Sequence, residues 1–204
     1  MEYPPVTSSH AVPSLRVKVP DPVPRRYWLS PAERVVLAVT RLALAIRLYL
    51  LTRFGSLTGI TEYDDGVYLG GAVSLLSGGL PYDAFAFVQP PGILLLMAPV
   101  ALLATVSAVT TVLAAARLLT VLASCVCITL VGALVRDRGA FVTLVACWTL
   151  AVYPDDIFTA HTLLLEPWMN LLVLTGVCLA FRDGRLASSR RLLWTGGRAG
   201  SRAR

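Results

Sequence analysis

QPPGILLLMAPVALLATVSAVTTVLAAAR, residues 89 to 117, is an apolar run that opens on two prolines and a glycine, carries Pro99 inside it and ends on an arginine. The Pro-Pro-Gly start suits a helix that begins sharply, and Pro99 suits a bend. Whether residues 92 to 116 cross a membrane or turn back decides the side on which every later residue lies. Lipid is the solvent at issue because the 204-residue chain is 56% hydrophobic and only 15% charged, with a mean hydropathy of +0.69.

Outward from this run, four more apolar stretches are long enough, or nearly so, to form membrane helices: about 35 to 54, 118 to 135, 139 to 153 and 166 to 181. Cytoplasmic loops collect Lys and Arg, so the basic residues vote on sidedness. The segment 1 to 34 holds five of them, 136 to 138 holds Arg136 and Arg138, and 182 to 204 holds seven, whereas 55 to 90 and 154 to 166 hold none. If 92 to 116 is re-entrant or interfacial on the outer side, fourteen of the eighteen basic residues lie inside and both acidic loops outside. The expected fold is therefore an all-α integral membrane protein with about four transmembrane helices plus an outer juxtamembrane or re-entrant helical segment; the alternative is five transmembrane helices.

Seven of the thirteen prolines fall in residues 1 to 33, which read as a disordered cytoplasmic tail and not as a signal peptide. Residues 34 to 181 form the membrane region, and 182 to 204 a basic cytoplasmic tail. The net charge of +6 follows this inside bias, so nucleic acid is not expected as a partner. Cys125, Cys127, Cys147 and Cys178 all sit in apolar runs and read as small packing residues, with no disulfide framework or zinc spacing.

Four arginines remain inside the apolar runs. Arg41 and Arg53 can snorkel to opposite interfaces. Arg47 lies ~18 Å along the helix from Val35, at 1.5 Å per residue, so it faces protein or a water-filled cavity, unless the helix is shifted and the side chain snorkels outward. Arg117 is expected to start its helix at the outer surface, as an interfacial anchor or as a contact for an anionic head group.

The expected topology puts two acidic stretches on one face: Glu62, Asp64, Asp65 and Asp83, then Asp155, Asp156 and Glu166. A carboxylate there can act as general base on a hydroxyl, with a second acid holding it or orienting a sugar. Neighbouring residues point different ways, so Asp64 and Asp65 are not expected to share one job. Asp65 can instead cap a helix over Gly66 to Leu76. Glu166 before Pro167 is also ordinary at a helix start. Asp155 and Asp156 after Pro154 read as an exposed turn, and His161 as a solvated loop residue. No metal-ligand spacing, nucleophile elbow or phosphate-cradling glycine loop is present in the sequence.

The serial order of EYDDGVYLGGAVSLLSGGLPY, FVQPPGILLLMAPVALLA, ARLLTVLASCVCITLVGALVRDRGAFVTLVACWTLAVYP and LLLEPWMNLLVL resembles the N-terminal part of the GT-C glycosyltransferases. The likeness covers about residues 33 to 194. It is to the branch with protein O-mannosyltransferases and lipid A aminoarabinose transferases, polytopic enzymes of the cell envelope that use polyprenyl-phosphate sugars. It implies Asp64 as catalytic general base, Asp65 as its companion and Glu166 as a substrate-binding acid. Gln89 stands where relatives commonly have Lys or His for the lipid phosphate, and Arg117 joins Gln89 and Glu166 as a substrate-binding candidate. The resemblance further implies no metal and no cofactor beyond the polyprenyl-phosphate sugar as donor.

Localisation follows as a multi-pass cell membrane protein with a cytoplasmic N-terminus, with the lipid bilayer, the donor lipid and membrane partner subunits as partners. After RDGRLASSRRLLW the sequence becomes TGGRAGSRAR, which cannot span a bilayer. A truncated or frameshifted member, changed after about Trp194 and inactive alone, is the expectation. The competing readings are a non-enzymatic small membrane subunit and a transporter fragment.

Overall fold

A computed structural model of the protein describes residues 29–53, 57–59, 62–182 and 185–186. Most of the expected tails, 1 to 33 and 182 to 204, lies outside the described residues. Seven α-helices order the rest: α1 (Pro31–Arg53), α2 (Tyr63–Leu76), α3 (Gly92–Ala101), α4 (Val109–Val135), α5 (Ala140–Val152), α6 (Pro154–Ala160) and α7 (Glu166–Ala180). Short 3-10 turns follow α3 and α4, and a two-residue antiparallel pair, Phe181–Arg182 with Arg185–Leu186, follows α7.

Helix α1 starts on a capping box. The Ser30 amide donates to Glu33 Oε2 at 2.8 Å and the Glu33 amide to Ser30 Oγ at 3.2 Å, with Pro31 filling the first helical position, where no amide partner is needed. Its 23 residues rise ~34 Å, more than the ~30 Å hydrocarbon thickness. Among the described residues, two helices are long and apolar enough to cross a membrane, α1 and the 109–138 unit; α5 and α6, bent by 56° where they meet, make a third if taken as one span. Helix α7, with 15 residues, rises only ~22 Å.

Residues 92 to 116 do not form one element. Helix α3 ends at Ala101, a 3-10 turn runs to Thr105, and α4 begins at Val109, so the second half of the run belongs to α4. At ten residues, ~15 Å, α3 is too short to cross a bilayer. It packs with α2 in one apolar cluster, where Tyr68, Leu69 and Ala72 meet Leu94, Met97 and the α4 residues Val112 and Leu113.

Helices α1 and α4 are antiparallel. Leu51 near the end of α1 packs on Val121 and Cys125, Val39 and Ala43 pack with Ile128, and Glu33 pairs with Arg136 at 3.6 Å. The chain therefore enters and leaves the α2–α3 hairpin at one end of the bundle. Close approach of small residues lets helix backbones meet where larger side chains would hold them apart. Gly132 illustrates this: a Cβ there would collide with Val36 Cγ2 and lie 3.1 Å from Cys147 Sγ, so α1, α4 and α5 meet on its bare backbone. Gly139, with φ of +99°, makes the reversal from α4 into α5.

Candidate functional site

The two Asp-Asp doublets occupy the same place in their helices. Asp64 and Asp65 are the second and third residues of α2, and Asp155 and Asp156 the second and third of α6. Successive residues of a helix point about 100° apart, so one carboxylate of each doublet turns inward and the other does not. In both, the third-position acid is buried: Asp65 at 1% exposure and Asp156 at 7%. Each lies in its helix's first turn, where the dipole favours negative charge, and each meets a fully buried arginine.

Asp65 pairs with Arg117 through Oδ2 and accepts the Leu163 amide on Oδ1 at 2.7 Å. Arg117 also donates to the Gly59 carbonyl at 2.6 Å. This corrects the expected place of Arg117. It does not open a helix at the surface but lies more than two turns into α4, at 0% exposure. Asp65 supplies the counter-charge that makes that depth tolerable. Neither residue of the pair presents a charged head to solvent, so the candidate roles of Asp65 as companion acid and Arg117 as head-group contact meet a geometry in which each holds the other.

Arg47 faces protein, settling its two alternatives. Its Nη2 donates to Asp156 Oδ2 at 2.5 Å, and Nη1 reaches the Ala151 carbonyl at 3.3 Å. Ser124 Oγ donates to the same Asp156 oxygen at 2.9 Å. Asp155 and Asp156 are thus not an exposed turn: Pro154 starts a helix, leaving Asp155 exposed and Asp156 buried. His161 is half-buried instead of solvated, and because a carbonyl can only accept, its Nε2–H donates to Arg47 O at 3.0 Å. Burial lowers its pKa from 6.5, opposed by that hydrogen bond and reinforced by the charges of Arg47 and Arg117.

What remains reachable is Asp64, one turn before the buried Tyr68 on the same side of α2. Asp64 is half-buried, and Glu166, the first residue of α7, is exposed. Burial raises the Tyr68 phenol above 10.0, and the negative charges of Asp64 and Glu166 raise it further. The bond from Leu163 to Asp65 ties the stretch leading into α7 to the start of α2. Gln89 is joined less directly: its carbonyl accepts the Tyr82 hydroxyl at 2.6 Å, and the Tyr82 ring meets Phe87, which meets Tyr68, at centroid distances of 6.3 and 6.2 Å.

Sequence reasoning missed Tyr68, Ser124 and Leu163. The four-residue spacing from Asp64 could have found Tyr68; nothing local marks the other two. Among the described residues no cluster of His, Cys, Asp or Glu is arranged to hold a metal ion. No protein-family model, curated protein or solved structure matches the chain.

Proposed function

We propose that this chain is a GT-C-like membrane glycosyltransferase segment in which Asp64 is the general base for transfer from a polyprenyl-phosphate sugar to an extracytoplasmic hydroxyl. Four crossings carry it, by α1, α4, the bent α5–α6 pair and α7, with the N-terminus cytoplasmic and the α2–α3 hairpin on the outer face. The pairing of Glu33 with Arg136 at one end, and of both Asp-Arg clamps toward the other, supports that arrangement.

The observation that carries the reading is the bond from the Leu163 amide to Asp65, which ties the approach to α7 and its Glu166 to the start of α2 that carries Asp64, a start held in turn by Arg117. Asp64 takes the proton of the acceptor hydroxyl, the oxygen attacks the anomeric carbon with inversion, and the polyprenyl phosphate leaves with the bonding pair. Phosphate is a good leaving group, so no strong general acid is required. In this reading Asp65 is a positioning residue: it fixes the turn from which Asp64 projects. Glu166 orients the sugar, and Gln89 lies beside the donor path.

The test is sugar transfer from a polyprenyl-phosphate donor in membranes holding equal amounts of wild type and Asp64→Asn. Loss of transfer in the variant alone supports the reading; equal transfer by both refutes it. Absence of transfer in both favours the non-enzymatic subunit. Labelling Asp64→Cys and Asp137→Cys with an impermeant thiol reagent checks the topology, which requires opposite sides.

A further inference from the structure

At the end of the bundle away from Asp64, two cavities share a wall. A trough of about 240 Å³ runs between α1 and α4, lined by Val36, Leu37, Thr40, Thr129 and Ala133. It opens past Glu33 and Arg136 into a second space of about 450 Å³, bordered by Ser30, Asp137 and Gly139 as well as by the same Glu33 and Arg136. An apolar slot leading into a charged mouth has the shape of a site for one amphiphile.

The charges narrow the choice. Arg136 is half-exposed and sits loosely between two carboxylates, 3.6 Å from Glu33 Oε1 and 3.9 Å from Asp137 Oδ1. One cation flanked by two anions is a poor receptor for an anionic head group, because the carboxylates repel it. It complements a zwitterion: phosphate on the Arg136 guanidinium, ammonium between Glu33 and Asp137. A primary ammonium offers three N–H donors to those carboxylates, whereas a trimethylated one offers none.

A second observation lies at the wall of the trough. Thr40 borders it, and the Thr40 hydroxyl is shielded from water and has no hydrogen-bond partner among the described residues. A buried hydroxyl without a partner is costly, and threonine in a helix has a second rotamer open to it, so a turn about χ1 toward an acceptor in the trough is favoured. Thr40 lies two turns below Glu33, ~10 Å along the axis, a depth at which an acyl-ester carbonyl hanging below a phosphate can accept its proton.

We infer that the cleft between α1 and α4, from Thr40 to Arg136, is a binding site for one phosphatidylethanolamine molecule. The site is independent of sugar transfer and lies at the opposite end of α1. It ties the lipid to the capping box and to the reversal at Gly139, the two places where this end of the bundle is set.

Native mass spectrometry of the full chain, released from detergent after equilibration with equal amounts of dioleoyl phosphatidylethanolamine, phosphatidylcholine or phosphatidylglycerol, tests it. The expected result is one ethanolamine lipid retained about tenfold more than either competitor, a preference of the order one well-made polar contact supplies. Arg136→Gln and Asp137→Asn each lower retention several-fold. Ala133→Phe, which fills the trough without touching the charges, abolishes it while leaving the helical content unchanged by circular dichroism. Equal retention of all three lipids, stronger retention of the glycerol lipid, or retention indifferent to Ala133→Phe overturns the proposal, because the bound lipid is then only general annular lipid or is read by positive charge alone.

Discussion

The two buried ion pairs are the same local device put to different ends. Arg117–Asp65 fastens α4 to the start of α2 and, through Leu163, to the approach of α7. Arg47–Asp156 fastens α1 to α6, with Ser124 of α4 as a third point. In each, the acid is the third residue of its helix and its neighbour is turned away. Yet Asp64 lies half-buried one turn before Tyr68, on the helix start that Leu163 ties to the approach of α7, while Asp155 is left in solvent. The doublet alone therefore does not make a site; the neighbours of the outward acid do.

Removing charge from the more enclosed clamp should have the largest effect. Asp65→Asn keeps an acceptor for the Leu163 amide but removes the negative charge that faces the buried Arg117 guanidinium, at a cost of about 3 to 5 kcal/mol by thermal unfolding in detergent. Arg117→Met added to it removes the second charge and should recover most of that loss. A single-variant cost below about 1 kcal/mol would show that Arg117 finds water, and the two clamps would then not be alike.

The second clamp should break more gently. After Arg47→Met, Asp156 keeps the Ser124 hydroxyl at 2.9 Å and slight exposure, so about 3 kcal/mol is expected, the lower end of the same range. Ser124→Ala should cost about 1 kcal/mol. A full double-mutant cycle on 47 and 156 beside one on 65 and 117 measures the difference directly, and a larger coupling at 47 and 156 would reverse the order of the two clamps.

The helices were legible in the sequence because their apolar runs are long and their ends are marked by charge, Pro or Gly: the runs 35 to 54 and 139 to 153 became Pro31–Arg53 and Ala140–Val152. The arginines misled where a charge was taken to mark an interface. Arg117 split one helix into two expected pieces, because nothing near it in sequence reveals that its partner is Asp65, 52 residues earlier. Asp156 failed for the opposite reason. Pro-Asp-Asp is good turn chemistry and equally good first-turn helix chemistry, and only Arg47, 109 residues away, decides between them. The pairing of buried charges is a tertiary property, so composition could say that Arg47 needed a partner but not which one.

His161 offers a way to separate the clamps by pH. Its pKa is lowered in the folded chain, chiefly by burial, so the unfolded chain takes up a proton first as the pH falls below 6.5. Stability is therefore flat above that pH and declines as the pH falls from it toward the folded value. His161→Gln should flatten this decline in unfolding midpoint. The Arg47 guanidinium charge lowers this pKa more than the Arg117 charge does, and Arg47→Met removes that charge while leaving the backbone carbonyl in place, so it should alter the pH dependence more than Arg117→Met does. Equal responses would mean that the two guanidinium charges act on the imidazole alike.

The smallest effect on stability should come from the outward acids, and it is the sharpest test of the contrast between them. Asp64→Asn and Asp155→Asn are each expected within about 0.5 kcal/mol of wild type, because neither acid is fully buried. Their electrostatic reach differs. Asp64 is one of two charges that raise the Tyr68 phenol, so Asp64→Asn should lower its titration toward 10.0 without reaching it, since burial, the larger cause, is unchanged. Asp155→Asn should leave it where it is. Ultraviolet tyrosinate titration, with Tyr68→Phe subtracted to isolate that ring, reads the difference. A Tyr68 titration indifferent to Asp64→Asn would separate Asp64 from Glu166, and the outward member of the first doublet would then be no better placed for chemistry than that of the second.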